Sequence, residues 1–390
     1  MLHGVFMLGI RAGRIITPFV EIKDGLVVIE NSKIIYVGKE KDFPESYDEE
    51  IDASDKILIP GFIDIHIHGA NGADVMDGKP ESLKLIANFL VKNGTVAFLP
   101  ATVTAPLDEI FQALDAVKKA REENVSGAKI LGVHMEGPYI SREKAGSQDV
   151  RYIREPKLDE LKSIIEKYRD IILRITIAPE VKGGIDAIRY LVQEGVIVSL
   201  GYTNANFQYA MRAFNLGAKL VNHLFNAMRG FHHRDPGIIG AALLRNDVFT
   251  ELIPDGIHVD PIVMKIVYKL KGYWRLILVT NSIMVTGLPD GKYRLPKGLV
   301  IIKDGAARLP SGILVGSTLT MNQAVKNAIK FLECPLREAI YMATYSPARA
   351  LNITNEFGSI EVGKKANLAI IDENINVYYT IIDGKVVYKK

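Results

Sequence analysis

The feature that most restricts the fold of this chain is a rhythm. Eight short apolar runs, at 62–68, 96–100, 130–136, 173–178, 196–201, 219–223, 249–254 and 276–280, alternate with amphipathic stretches such as 82–93, 106–123, 159–168, 184–194, 206–216 and 261–271. Apolar runs without in/out alternation are what strands need when both faces of a parallel sheet are covered by helices. Eight such units over roughly 250 residues match the count and length of a (β/α)8 TIM barrel. A doubly wound open sheet is the rival, and it is disfavoured because no glycine-rich phosphate turn follows the first run.

The two ends of the chain read differently. Residues 1–58 and 350–390 alternate apolar and polar positions between turn signals, among them Lys23-Asp24-Gly25, Asn31-Ser32-Lys33 and a hairpin turn at Asp383-Gly384. The simplest arrangement joins both ends into one small β-sandwich domain beside a barrel spanning 59–349. The apolar start at 1–19 has no basic segment ahead of it and no small-residue cleavage site, so it is expected to be a strand. No apolar stretch is long enough to span a bilayer. A formal charge of +3 is too small to bind nucleic acid by electrostatics. The single cysteine, Cys334, excludes an internal disulfide and points to a reducing cytoplasm.

In a barrel of this kind the chemistry sits where strands run into the following loops. The first run ends in His66-Ile67-His68, and a period of two puts both imidazoles on one face. The third ends in His134-Met135-Glu136, the sixth in Asn222-His223, the seventh leads to Asp255-Gly256-Ile257-His258, and the eighth ends in Thr280-Asn281. Imidazoles and a carboxylate around an open coordination position would make a Lewis-acid centre for hydrolysis. Hydrogen-bonded capping of the barrel mouth is the alternative. Arg234 would bind an anion bidentately or pair with Asp235 at the surface. The segment 312–317 would offer backbone N–H groups to a ligand or serve as ordinary turn.

Seven segments carry a resemblance that runs through nearly the whole chain: PGFIDIHIHG (60–69), GVHMEGPYIS (132–141), NHLFNAM (222–228), HRDPGIIGAAL (233–243), DGIHVDP (255–261), TGLPDGKY (286–293) and LVGSTLTMNQAV (314–325). They resemble the N-acetylglucosamine-6-phosphate deacetylase family of amidohydrolases. The resemblance implies a barrel with a sandwich from both termini, a homodimer, and hydrolysis of the N-acetyl amide of an amino-sugar 6-phosphate. It implies one or two divalent metal ions per subunit, zinc or iron, held by Glu136 and His223 and, for a second ion, by His66 and His68. It further implies that Arg234, reaching across the dimer, and His258 hold the sugar phosphate, while Asn226 and Ala227 line the sugar and Val315 and Ser317 contribute to the substrate site.

Three positions depart from that family's pattern. Tyr202 stands where a metal-binding His is usual, Asn281 where the acid/base Asp is usual, and Gln148 where the substrate loop usually has His. A carboxamide at 281 accepts no proton at neutral pH, which removes general acid–base help worth about 10²- to 10⁴-fold. A phenol, with a reference pKa of about 10, is a poor replacement for imidazole as a ligand. Tyr202 would coordinate a strongly acidic metal or fill the vacated space and donate a hydrogen bond. Three functions follow: a slow or altered deacetylase, a sugar-phosphate binder without turnover, or an amidohydrolase acting on another amide.

Overall fold

The computed structural model describes residues 6–295 and 298–390. Residues 1–5 of the N-terminal segment lie outside the described residues, and the remainder forms strand Met7–Ile16. The eight apolar runs all become parallel strands. Phe62–Ile67, Thr95–Pro100 and Lys129–Ile130 form one sheet, and Val133–Glu136, Ile172–Ile177, Ile197–Leu200, Leu220–Val221, Phe249–Leu252 and Leu276–Leu278 form another. Backbone bonds join the two at both edges. On one side Thr102 N–H donates to His134 O (3.0 Å); on the other Asn281 N–H donates to His66 O (2.9 Å). These seams close the strands into a ring, in chain order.

The helices fall where the apolar spacing puts them, at Pro80–Val91, Leu107–Glu122, Leu158–Tyr168, Gly184–Gln193, Phe207–Asn215 and Pro261–Lys271. Each turns an apolar stripe onto the strands, and together they form one continuous core. Local chemistry sets their starts. Asp260 accepts from the Ile262 N–H (2.8 Å) ahead of Pro261, and Asn206 accepts from the Tyr209 N–H (2.9 Å). None of the helices among the described residues is long and apolar enough to cross a membrane. Cys334 is buried.

Strands from both chain ends share one seven-stranded sheet, which runs Lys385–Lys389, Val377–Ile382, Leu368–Ile371, Glu49–Pro60, Met7–Ile16, Glu21–Glu30, Lys33–Lys39. The terminal segments pair side by side here, Glu49–Pro60 against Leu368–Ile371, and the sheet encloses its own core around Ile10, Val27, Leu58 and Ile370. Ile57, Ile59 and Ala369 belong instead to the core beneath the barrel.

One element has no counterpart in the periodic pattern of the sequence. Between the eighth barrel strand and helix Met321–Leu332 lies a four-stranded antiparallel sheet, Gly291–Leu295, Gly298–Lys303, Ala306–Arg308 and Leu314–Ser317, with a small core of its own. Its last strand runs along Asn281: Ser317 N–H donates to Asn281 O (2.8 Å) and Ser317 Oγ to Thr280 O (2.5 Å). Gly316 permits that approach. A Cβ there would lie 2.7 Å from Asn281 O, and the residue adopts φ +60. Gly312 serves the turn ahead of this strand and Gly316 the close approach within it, and the Ser317 N–H is committed to the Asn281 carbonyl.

Candidate active site and metal centre

Period-two alternation points one set of side chains from each barrel strand inward. In most barrels that interior is filled by branched apolar layers. Here it holds Asp64, His66, His134, Glu136, Arg174, Thr176, Ser199, Asn222, Glu251 and Thr280, all buried. Groups of this kind stay buried only when hydrogen-bonded or paired, and the pairing defines the site.

Glu136 is its hub. Oε2 accepts from Gln148 Nε2 (2.8 Å) and from Tyr202 Oη (3.1 Å), and Oε1 accepts from Asn222 Nδ2 (3.2 Å). Three imidazoles surround the same carboxylate: His66 Nε2 is 2.8 Å from Oε1, His223 Nε2 3.4 Å from Oε1, and His68 Nε2 3.4 Å from Oε2. Burial favours the neutral acid, yet His66 and His223 hold the Glu136 carboxyl well below the usual range. Burial, reinforced by Glu136, pushes the Tyr202 phenol well above its ordinary value. A phenol so placed keeps its proton and donates it to Glu136. The hydrogen-bonding role of Tyr202 fits this arrangement better than that of a phenolate ligand.

A second layer of charge sits deeper in the barrel. His66 Nδ1–H donates to Glu251 Oε2 (2.8 Å), and Arg174 binds the other oxygen of Glu251, Asn222 Oδ1 (2.7 Å) and Ser199 Oγ (2.9 Å). Burial opposes ionisation of Glu251, but Arg174 and His66 hold it at about 2. Burial likewise opposes charge on His66, but Glu251 and Glu136 raise it to about 9. Asp64 has no cationic partner of that strength. Burial pushes it up to about 6 against hydrogen bonds from Thr280 and the His66 N–H.

The donor set suits a divalent cation. His66, His68 and Glu136 bring ligand atoms within 4.8 Å of one another. The Nδ1 atoms of His66 and His68 face Glu251 and the Ala101 carbonyl (3.1 Å), which directs both Nε2 atoms toward Glu136. His66 Nε2 is buried 2.8 Å from Glu136 Oε1 but off the line of a hydrogen bond. The two carboxylates that favour a proton on His66 would equally favour a cation at Nε2, whose binding would displace that proton.

The other expected residues divide into two groups. Asn281 joins the cluster: its N–H binds His66 O, it adopts φ +50, and its buried Oδ1 has no hydrogen-bond partner among the described residues. Gln148 joins it too, with Oε1 accepting from the Thr104 N–H (2.8 Å). Asn226 and Ala227 follow His223 in a turn that Asn226 Nδ2 ties to His223 O (3.2 Å). A Cβ on Gly146 would lie 3.1 Å from Ala227 and 3.3 Å from Tyr202, so the loops after the third, fifth and sixth strands meet there. His258 lies on the loop after the seventh strand, its Nδ1 bound to Asp255 Oδ2 (2.6 Å). Arg234 stands apart, exposed. The cation paired with Asp235 is Arg229 (2.5 Å) and not Arg234, which corrects the surface ion pair expected as one of the two roles of Arg234. Val315 is half-buried in its strand.

Arg174 and Glu251 belong to no motif of the sequence. The signal for them is a charge in the middle of each apolar run, ILRITI and FTEL. A charge inside a strand buried on both faces needs a partner, and each is the other's.

A ring of parallel strands with imidazoles and a carboxylate gathered at its centre defines a hydrolase with a metal-capable site. The chain belongs to the amidohydrolase family, whose model matches residues 57–387. It is 40% identical over 331 residues to an N-acetylglucosamine-6-phosphate deacetylase of Vibrio furnissii, covering 85% of this chain and 83% of that one. It is 38% identical over 378 residues to the enzyme of the same name from Bacillus subtilis, covering 96% and 95%. The crystal structure of the Pasteurella multocida N-acetylglucosamine-6-phosphate deacetylase superposes with a TM-score of 0.93 at 32% identity, over 99% of this chain and 100% of that one.

Proposed function

We propose that the protein hydrolyses the N-acetyl amide of an amino-sugar 6-phosphate, N-acetylglucosamine 6-phosphate foremost, at a rate restrained by the carboxamide at position 281. The observation that carries this reading is the convergence of His66, His68 and His223 on Glu136, in a chain alike over its length to deacetylases of that sugar. His66, His68 and Glu136 would hold the metal, with His223 facing Oε1 of the same carboxylate. When bound, a divalent ion such as zinc or ferrous iron supplies Lewis acidity to the amide carbonyl and to water.

The remaining work falls to side chains. Asn281 Oδ1, buried and unpartnered among the described residues, would accept a hydrogen bond from the amide N–H or from water, orienting it without taking its proton. Gln148 fixes Glu136, and the Asn226-Ala227 turn would line the sugar beside it. Asp255 holds His258 by Nδ1, leaving the opposite ring edge for the phosphate. Acetate release by the metal-loaded protein tests the reading. No release above a protein-free blank, from either the native chain or Asn281→Asp, would sink it.

Arg234 would complete phosphate binding. A bidentate guanidinium–phosphate contact of roughly 1.5–3 kcal/mol corresponds to about 10- to 100-fold in binding. Arg234→Ala is expected to raise KM by that factor with kcat little changed; an unchanged KM would remove Arg234 from the site.

The protein would work as a homodimer. Helix Pro261–Lys271 exposes a stripe, Ile262 (72%), Ile266 (50%) and Leu270 (56%), spaced one helical turn apart, and Trp274 (49%) is exposed just after it. Leu244 on the preceding helix and Phe231 beside Arg234 are exposed as well. Apolar groups so aligned are characteristic of a buried interface. Light scattering is expected to give twice the chain mass of 43.1 kDa, and Ile266→Glu to shift it to the monomer. A monomeric native protein would refute the assembly.

A further inference from the structure

Arg234 sits at the tip of a tight turn whose backbone is fixed while its side chain is not. His232 N–H donates to Asp235 O (3.1 Å) and Asp235 N–H to His232 O (3.0 Å), which closes a two-residue hairpin over His233 and Arg234. The Arg234 N–H itself donates to His232 Nδ1 (3.2 Å). Beyond that backbone the residue is exposed, and its guanidinium bonds nothing among the described residues. A free cation on a fixed backbone suits the capture of an anion.

The turn is tied to the barrel through Arg229. Its Nε (2.7 Å) and Nη2 (2.5 Å) both reach Asp235 Oδ2, and Nη1 donates to Asn204 O (3.2 Å), 25 residues away along the chain. Its own N–H donates to Thr203 O (2.9 Å). Thr203 and Asn204 belong to the loop after the fifth barrel strand. Glu180, from the loop after the fourth, accepts from Thr203 Oγ1 and from the Asn204 N–H, so the far end of the strut is itself anchored. Gly237 makes room for the Arg229 stem: a Cβ there would lie 3.3 Å from both Cγ and Cδ, on a backbone at φ +56. An exposed ion pair by itself adds little to stability. What this guanidinium supplies is a span between two segments, which a planar fork of donors provides and a single ammonium does not.

We propose that Arg229 is a positioning residue for phosphate recognition: by bridging Asp235 and the Asn204 carbonyl it holds the 232–235 turn in the form that presents Arg234 to the 6-phosphate. It acts through Arg234 and touches no ligand. The inference rests on the reading of Arg234 as a phosphate-binding group, yet its test is independent of turnover. Without the strut the turn must be ordered when the phosphate binds, which weakens binding by about 3- to 10-fold, the ordering cost of a side chain or so.

The test is binding of glucosamine 6-phosphate, the phosphorylated product of the proposed reaction, followed by calorimetry on the metal-loaded protein at fixed ionic strength. The product is not turned over, so a protein that releases no acetate would defeat the proposed function and leave this comparison standing. Two variants set the strut against simple charge. Arg229→Lys keeps the charge but cannot span both acceptors. Asp235→Ala removes a negative charge beside Arg234, which by electrostatics alone would strengthen phosphate binding. Both are expected to weaken it by about 3- to 10-fold. In an Arg234→Ala background neither is expected to change it by more than about 2-fold, because residues that act through one side chain are not additive. Tighter or unchanged binding by Asp235→Ala, or unchanged binding by Arg229→Lys, overturns the proposal. So does an equal loss in the Arg234→Ala background, which would make the strut a support for the loops in general, or a native chain that does not bind the sugar phosphate.

Discussion

Replacing Asn281 by Asp is expected to raise the rate of acetate release from N-acetylglucosamine 6-phosphate by about 10²- to 10⁴-fold, the worth of a positioned general acid and base. The barrel brings Asn281 to the rim of the His66–Glu136 cluster, with its N–H on His66 O and its carbonyl held by Ser317. Its backbone adopts φ +50, a conformation that Asp tolerates as Asn does, so the exchange brings no new backbone strain. Only the side-chain chemistry changes. A carboxylate takes a proton from water and returns it to the leaving amine; a carboxamide does neither. The measurement is kcat for both proteins at saturating sugar phosphate after loading with zinc or ferrous iron. A native chain that already turns over at an ordinary enzymatic rate would show that proton transfer does not depend on position 281, and another base would have to be sought.

Arg174→Met is expected to destabilise the fold by about 3–5 kcal/mol, the cost of leaving a buried charge without its partner. Arg174 is fully buried and bonds Glu251, Asn222, Ser199 and the Ile65 carbonyl, which ties together five of the barrel strands. Methionine fills much of the volume but leaves the Glu251 carboxylate with only His66 and the His223 N–H as partners. The double variant Arg174→Met/Glu251→Gln removes that orphaned charge and is expected to recover part of the loss. Urea midpoints for the three proteins decide the matter. A single variant within about 1 kcal/mol of native would mean that Glu251 is neutral or solvated, contrary to the burial on which the expectation rests.

The periodic elements are legible in the sequence alone. The helix at 261–271 has the same bounds in the sequence pattern and in the fold, because Asp260 and Pro261 mark its start and Gly272 its end. The Asp383-Gly384 hairpin is equally clear, both residues adopting the positive φ that a two-residue turn demands. The four-stranded insert between 291 and 317 is not legible in this way. Its strands are short, and the one apolar run among them, 299–302, spans only four residues, too few for periodicity to distinguish a strand from a loop. Its role is positional: it backs Asn281.

The candidate site divides along a similar line. His66, His68, Glu136 and His223 can be named from the sequence because residue type and strand-end position together restrict what such side chains do. Arg174 and Glu251 cannot, since the reason for each is the other, 77 residues away along the chain and adjacent only across the barrel. The sequence by itself determined the strand and helix order, the family, and the chemical kind of each group at the centre, because these depend on local spacing and on what a side chain is. Only the tertiary structure decided that Gln148 and Tyr202 converge on one oxygen of Glu136, and that His66 is wedged between two carboxylates. Hydrogen-bond partners and buried charge pairs depend on distances of a few ångströms between strands, and no local pattern in the chain encodes those distances.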